Sequence, residues 1–393
     1  MPCVAVKPEL LTWARERLGR DGANLYSKFK KLPLWESEQE KPSLKELESF
    51  AAATFVPLGY FFFPSPPEEK LPINDLRTVR GHGVAKPSPN LLDTIFHCQQ
   101  RQAWYRDYAQ ALRNEPLAFV GSASLQSSVV SVAKDMRETL GFDIPTRQTY
   151  KNDEALRKFI YQVENCGILV MISGVVGINN RRKLDVGEFR GFAISDQYAP
   201  LIFINAADSP AAQVFTLAHE LAHIWLGDSA ISDVSPLSRT SDKTEAWCNR
   251  VAAELLVPID ALTPLLPQEN PLDCLDKLAR KFRVSKLVML RRIYDSSRID
   301  WETFNSAYQE ELRRLASRKK SGGGNFYATQ TARVSRRFAR ALFIDTLEGR
   351  TQYQDAHQLL GIKKQSTFEA MGKEFYEIGQ QMGLTATIHA RSH

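Results

Sequence analysis

The thirteen residues FTLAHELAHIWLG, Phe215–Gly227, constrain the fold of this chain more than any other stretch. Phe215, Leu217, Ala218, Leu221, Ala222, Ile224 and Leu226 cover nearly the whole circumference of a helix, so the segment predicts a buried helix that stops at Gly227. Set into this apolar frame are His219, Glu220 and His223. Residues four apart on a helix differ by about 40° around its axis, so both imidazoles can aim at one ion. A catalytic zinc needs a third protein ligand and an open position for water. Glu245, which opens the run EAWCNRVAAELLVP, is the first candidate, with Asn249 on the same face in an orienting role. Glu254 is the second. It lies about 900° further along the helix, half a turn away, so at most one of the two faces the metal. Cys248 reads as a small buried residue. In this HExxH…E pattern Zn2+ lowers the pKa of its bound water toward roughly 7 and polarises a scissile carbonyl. Glu220, beside the metal without ligating it, is then the general base that takes the water's proton and passes it to the leaving amine.

At 393 residues the chain exceeds the usual size of one hydrophobic core, and two or three domains are expected. Apolar residues make up 43% and charged residues 24%, which excludes a chain too charged to fold. The net charge of +6, from 51 basic and 45 acidic residues, permits a nucleic-acid partner without demanding one. Cys3, Cys98, Cys166, Cys248 and Cys274 are scattered with no CxxC pair, so neither a disulfide framework nor a thiolate zinc knuckle is suggested. With no signal-peptide-like region and no run near the roughly 18 apolar residues of a membrane span, a soluble cytoplasmic protein is expected.

Apolar spacing predicts helices over 8–18, 23–29 and 33–38. Ser43 caps a fourth, in which Leu44, Leu47, Phe50 and Ala51 share a face and Glu46 completes a capping box. A fifth spans Leu58 to Phe63 before the prolines 64, 66 and 67. Residues 68–88 read as a linker. Helices over 90–113, 127–140 and 153–165 then give way to strands over 166–176, 189–195 and 200–205. Further on, SRKKSGGGN at 317–325 reads as a flexible connector, followed by helices over 329–347, 354–360 and 366–382. Two basic groups, Lys281, Arg283, Lys286, Arg291 and Arg292, and Arg333, Arg336, Arg337 and Arg340, offer surfaces for phosphate or an acidic partner. Solvated helix faces are the commoner explanation.

Two resemblances follow from particular residues. The stretch LPLWESEQEKPSLKELESFAAATFVPLGYFFFP resembles the second half of Xre/Cro-type helix-turn-helix domains, through Trp35, Glu36, Pro42 and the Leu58–Phe62 segment. Pro33, Leu34 and Trp35 depart from that pattern, because they stand where a recognition helix needs polar side chains. A DNA reader and a helical packing module both remain open, and no DNA-binding residue is assigned. The second resemblance covers about 167–258. The strand ending in Ile204 and Asn205, the FTLAHELAH helix, and the helix from Glu245 ending in LLVP are together similar to the ImmA/IrrE family of metallopeptidases, peptidase family M78. That resemblance implies zinc ligation by His219, His223 and Glu245, catalysis by Glu220, and cleavage of a helix-turn-helix repressor or antitoxin-type regulator encoded nearby. The segment 272–295 looks like the small helical module that follows the peptidase in many members.

The expected fold class is α+β, mostly helical. It comprises an Xre-like five-helix module at 1–67, a linker at 68–88 and a zincin-like peptidase core at 89–262 with a small sheet and the HExxH helix. A small helical module at 263–316, the connector at 317–325 and a helical region at 326–393 complete it. The expected function is a gluzincin-like intracellular zinc endopeptidase. The alternative is an antitoxin or transcriptional regulator that binds protein or DNA and uses its zinc site structurally or rarely.

Overall fold

Burial of thirteen consecutive side chains, Gln213–Trp225, forces the helix Pro210–Leu226 to be covered on every side. The computed structural model describes residues 3–18, 22, 24–76, 87–149, 154–232, 242–316 and 326–381. The chain divides into two units, Met1–Pro72 with Ala85–Ile95, and Ile73–Val84 with Phe96–His393. The connector expected at 317–325 lies outside the described residues.

The first unit contains helices α1 (Pro8–Glu16), α2 (Leu25–Lys28), α3 (Leu32–Glu36) and α4 (Leu44–Thr54). Leu10, Leu11, Ala14, Trp35, Leu47, Phe50 and Phe61 form its core. The Ser43–Glu46 capping box is present, with the Ser43 N–H donating to Glu46 Oε2 over 2.8 Å. Arg15 Nε donates to Glu36 Oε1 over 2.8 Å and ties α1 to α3. The helix expected over Leu58 to Phe63 is a short 3-10 helix, Leu58–Phe62, that follows Pro57 and ends before Pro64. The α3 helix is only five residues long, and its Trp35 is buried in the core.

The second unit begins inside the stretch expected to be a linker. Asn74–Asp75 is a strand, β1, so residues 68–88 are not wholly a connector. Helix α5 (Pro89–Ala111) starts in the first unit and belongs to the second from Phe96 on; it is followed by α6 (Val129–Leu140), α7 (Ile144–Gln148) and α8 (Ala155–Asn165), then by strands β2 (Leu169–Ser173), β3 (Gly191–Ile194) and β4 (Leu201–Asn205). Next come α9 (Pro210–Leu226), strand β5 (Ala230–Ser232), α10 (Lys243–Leu256) and α11 (Ile259–Leu262). The five strands form one sheet in the order β1-β5-β3-β4-β2. β2 runs parallel to β4 and β1 parallel to β5, while β3 is antiparallel to both β4 and β5. Every residue of β3 and β4 is buried, which is why they read as continuous apolar runs rather than alternating ones.

A single core joins α6, α8, β2, β4, α9 and α10 to α12 (Leu275–Phe282) and α13 (Lys286–Asp295). The chain continues through α14 (Trp301–Ala316), α15 (Phe326–Val334), α16 (Arg336–Leu347), α17 (Tyr353–Leu360) and α18 (Gln365–Gln381). The single helix expected over 329–347 is broken at Ser335, which is buried at a φ of 71°. Its hydroxyl caps α16 by accepting from the Phe338 N–H over 3.3 Å and donates to Glu164 Oε1 over 2.5 Å. The break is therefore a buried N-cap, invisible in the helical spacing on either side. The architecture is mostly helical α+β around a small mixed sheet. Among the described residues no helix is long and apolar enough to cross a membrane.

Two of the basic residues expected on helix faces, Arg292 and Arg337, are tied into the fold, whereas Lys281 and Arg340 are exposed. Arg337 Nη1 donates to the Glu164 carbonyl over 2.9 Å and its Nε to Tyr105 Oη over 2.7 Å. Arg292 is buried against Glu254 and donates to the Val257 carbonyl over 2.8 Å.

Burial raises the Glu164 carboxyl above its usual 4.5, against the opposing hydrogen bond from Ser335. A carboxyl whose pKa is higher folded than unfolded holds extra protons in the native state, so its stabilisation is fully present below about 4.5 and is lost as pH rises through the folded value. Thermal unfolding followed from pH 4 to 8 should show the wild-type midpoint falling relative to that of Glu164→Gln as pH rises.

Candidate metal centre

Two helices meet at the site. Ser209 caps α9, with its Oγ accepting from the Ala212 N–H over 3.3 Å, Pro210 opens the helix, and Gly227 ends it at a φ of 73°. Asn205 closes the turn from β4 into α9. Its Nδ2 donates to the Phe189 carbonyl over 3.1 Å, and its Oδ1 accepts from the Ala207 N–H over 3.0 Å. Helix α10 begins at Asp242, whose Oδ1 accepts from the N–H groups of Thr244 over 2.8 Å and Glu245 over 3.0 Å. This cap holds the first turn of α10, and with it the Glu245 side chain, against α9. At the other end Arg137 Nη1 donates to the Glu254 carbonyl and Arg147 Nη1 to the Leu256 carbonyl, each over 2.8 Å.

The structure brings His219, His223 and Glu245 together, all buried. The two Nε2 atoms are 3.1 Å apart, His223 Nε2 is 3.2 Å from Glu245 Oε1, and His219 Nε2 is 3.3 Å from Glu245 Oε2. Zinc bonds of about 2.0–2.1 Å in a tetrahedral arrangement place ligand atoms about 3.3 Å from one another, so these three donors fit one ion. The other ring nitrogen of His219, Nδ1, lies 3.0 Å from Asn249 Oδ1. An Nδ1–H donating to that amide leaves the Nε2 lone pair directed at the centre. Ser232 Oγ approaches Glu245 Oε1 at 3.2 Å and His223 Nε2 at 3.4 Å. Asp228 Oδ2 lies 3.7 Å from His223 Nδ1.

Both carboxylate oxygens of Glu220 are buried without a hydrogen-bond partner. Burial pushes this carboxyl up to about 8, against the opposing His223 imidazole. Burial also acts to raise Glu245, but His219 and His223 outweigh it and hold that carboxyl below the usual range. Desolvation lowers the pKa of His219, which favours the neutral ring that ligates. The centre therefore combines a carboxylate, two imidazoles and one further carboxyl whose oxygens have no protein partner.

Glu254 is not part of the cluster. It lies on the far side of α10, paired with Arg292, as its half-turn offset requires. Cys248 is fully buried and outside the ligand set. Sequence reasoning did not single out Ser232, Asp228, Asp242 or Gly191. Only Asp242 left a signal, an N-cap residue three positions before Glu245.

Residues 164–294 match the family model described as the IrrE N-terminal-like domain, Peptidase M78. This segment is similar to the IrrE-type domain of the M78 peptidases. The match holds the ligand-type cluster, Glu220 and both helices that carry them, and the M78 metallopeptidase family implies a metal cofactor. The chain is 38% identical over 91 residues to the "Radiation response metalloprotease IrrE" of Deinococcus radiodurans, covering 22% of this chain and 28% of that protein. It is also 38% identical over 91 residues to the protein of the same name from Deinococcus deserti, covering 22% and 32%. It thus spans about a third of the length of these curated relatives. Residues 334–374 match a domain of unknown function, DUF8813.

Strand β3 approaches the centre this closely because residue 191 lacks a side chain. A Cβ on Gly191 would lie 2.6 Å from Thr216 Cγ2, 2.9 Å from Glu220 Oε1 and 3.0 Å from the Phe203 carbonyl oxygen. Gly191→Ala is expected to cost about 1–3 kcal/mol of stability by overpacking, measured by denaturant unfolding. Adding Thr216→Ser, which removes the closest atom, should recover part of that loss.

Proposed function

We propose that this protein is a zinc-dependent endopeptidase with a gluzincin-type HExxH…E centre on a zincin-like core. His219, His223 and Glu245 are the ligands in this reading, and Glu220 is the general base. The observation that carries it is the pairing of the buried His219–His223–Glu245 cluster with a neighbouring carboxyl, Glu220, whose two oxygens have no protein partner. A structural zinc site closes its four positions with protein ligands, whereas three ligands beside a free carboxyl suit a centre that handles water.

When bound, the ion supplies Lewis acidity to the scissile carbonyl and to the attacking water. The remaining work belongs to the chain. Asn249 holds the His219 ring in the tautomer that presents Nε2, and Ser232 and the Asp242 cap keep the Glu245 carboxylate turned inward. In its ionised form, which a cation held by the neighbouring ligands would favour, Glu220 would accept the proton of the attacking water on a carboxylate oxygen and return it to the leaving amine. The low-polarity walls around it strengthen each of these electrostatic interactions.

The substrate we propose is a helix-turn-helix repressor or antitoxin-type regulator encoded beside this protein, in a cytoplasmic setting. Family resemblance supports it. The five-helix first unit is proposed as a partner-binding module rather than a reader of base edges, because α3 is short and commits Trp35 to the core.

Incubating the purified full chain with the products of neighbouring genes tests the reading. Glu220→Gln should retain wild-type zinc content and lose at least about a hundredfold in cleavage rate. Equal binding of a neighbour by both proteins with no cleavage by either would replace the peptidase with the binding-protein reading.

A further inference from the structure

The two histidines of the centre are supported unequally. His219 has Asn249 at 3.0 Å from its Nδ1, whereas the Nδ1 of His223 is buried and makes no hydrogen bond. The acidic oxygen facing it is Asp228 Oδ2, 3.7 Å away, one residue past the Gly227 that ends α9. Asp228 is in turn held by Asn74, whose Nδ2 donates to Asp228 Oδ1 over 3.1 Å. Asn74 lies 154 positions away in sequence, well before the 164–294 peptidase match.

What delivers Asn74 is strand β1. The Asn74 N–H donates to the Ser229 carbonyl and the Leu76 N–H to the Ile231 carbonyl, each over 3.1 Å. This two-residue pairing fixes the register Asn74↔Ala230 and Asp75↔Ile231, which sets the Asn74 amide beside Asp228. The same strand β5 ends in Ser232, which touches Glu245 and His223.

We infer that Asn74 and Asp228 are positioning residues of the metal centre, Asn74 holding the Asp228 carboxylate so that it accepts the Nδ1–H of His223 and directs the Nε2 of that ring at the ion. The strand Asn74–Asp75 thereby belongs to the metal-binding apparatus although it stands outside the peptidase match. A histidine ligand needs an acceptor on its second nitrogen to fix tautomer and ring angle, and Asp228 is the carboxylate placed to provide one. The acidic side chain needs a donor of its own to hold the rotamer that faces His223, and Asn74 is that donor. The inference rests on the metal-site reading above.

Zinc affinity of the full-length chain, measured by competition with a chromophoric chelator, tests it. Asp228→Ala should weaken zinc binding by about 10–100-fold, the usual consequence of losing the partner of a ligating histidine. Asn74→Ala should weaken it by about threefold or more. Leu76→Pro, which removes the donor to Ile231, should reproduce the Asn74→Ala loss, and Asn74→Ala should add nothing in the Asp228→Ala background. The thermal midpoint of the metal-free protein should be the same in wild type and Asn74→Ala. Wild-type affinity in Asn74→Ala or in Asp228→Ala, additive losses in the double variant, or a metal-free midpoint that falls with Asn74→Ala would each overturn the inference. His219→Ala separates the two readings: if it binds zinc as the wild type does, the metal-site reading itself fails. If it loses zinc while the Asn74 and Asp228 variants keep it, only this inference falls.

Discussion

Two imidazole nitrogens and a carboxylate converge within 3.3 Å of one another in the interior of the second unit, and the surrounding structure is arranged to make that convergence stable. Burying such groups costs several kcal/mol apiece unless each is paired or shares a cation. The donors come from two helices, so the arrangement holds only while α9 and α10 keep their separation and rotation. Their ends are accordingly fastened. Ser209 and Gly227 bracket α9, Asp242 caps α10, and Arg137 and Arg147 take its last carbonyls. A helix buried on every side has little freedom to roll, and the two histidines inherit that rigidity.

The sheet contributes close approach. β3 runs past α9 near enough that even a Cβ at residue 191 would crowd Thr216 and Glu220, which places strand backbone beside the Glu220 carboxyl. β5, three residues long, brings Ser232 to the ligands, and β1 extends the sheet with residues that stand far away in sequence. Strands this short cannot bury much area by themselves. Their place is set by pairing to neighbours already fixed in the core.

Arginine does much of the fastening. Arg147, Arg292 and Arg337 each donate to main-chain carbonyls, joining elements distant in sequence. A guanidinium presents five donors on a long stem, so one side chain can satisfy the open carbonyls at a helix end and cover apolar surface with its methylenes. Arg292, which looks in sequence like part of a basic surface, is therefore part of the interior.

Local pattern was enough for the buried helix, the stop at Gly227, the geometric association of His219 with His223 and the exclusion of Glu254 from the face that carries Glu245. Each of these follows from helical periodicity and chain chemistry, which act over a turn or two and leave their mark in neighbouring residues. The capping box at Ser43 was legible for the same reason. Tertiary structure alone decided that Ser335 breaks a helix to cap the next, that Asn74 stands behind Asp228, that Ser232 touches Glu245 and that a side chain at residue 191 would crowd Thr216 and Glu220. Apart from the local Ser335–Phe338 cap, they depend on contacts between segments from about a dozen to 171 residues apart, as in the Ser335–Glu164 bond. Such contacts are set by how the buried surfaces pack, and no short stretch of sequence carries them.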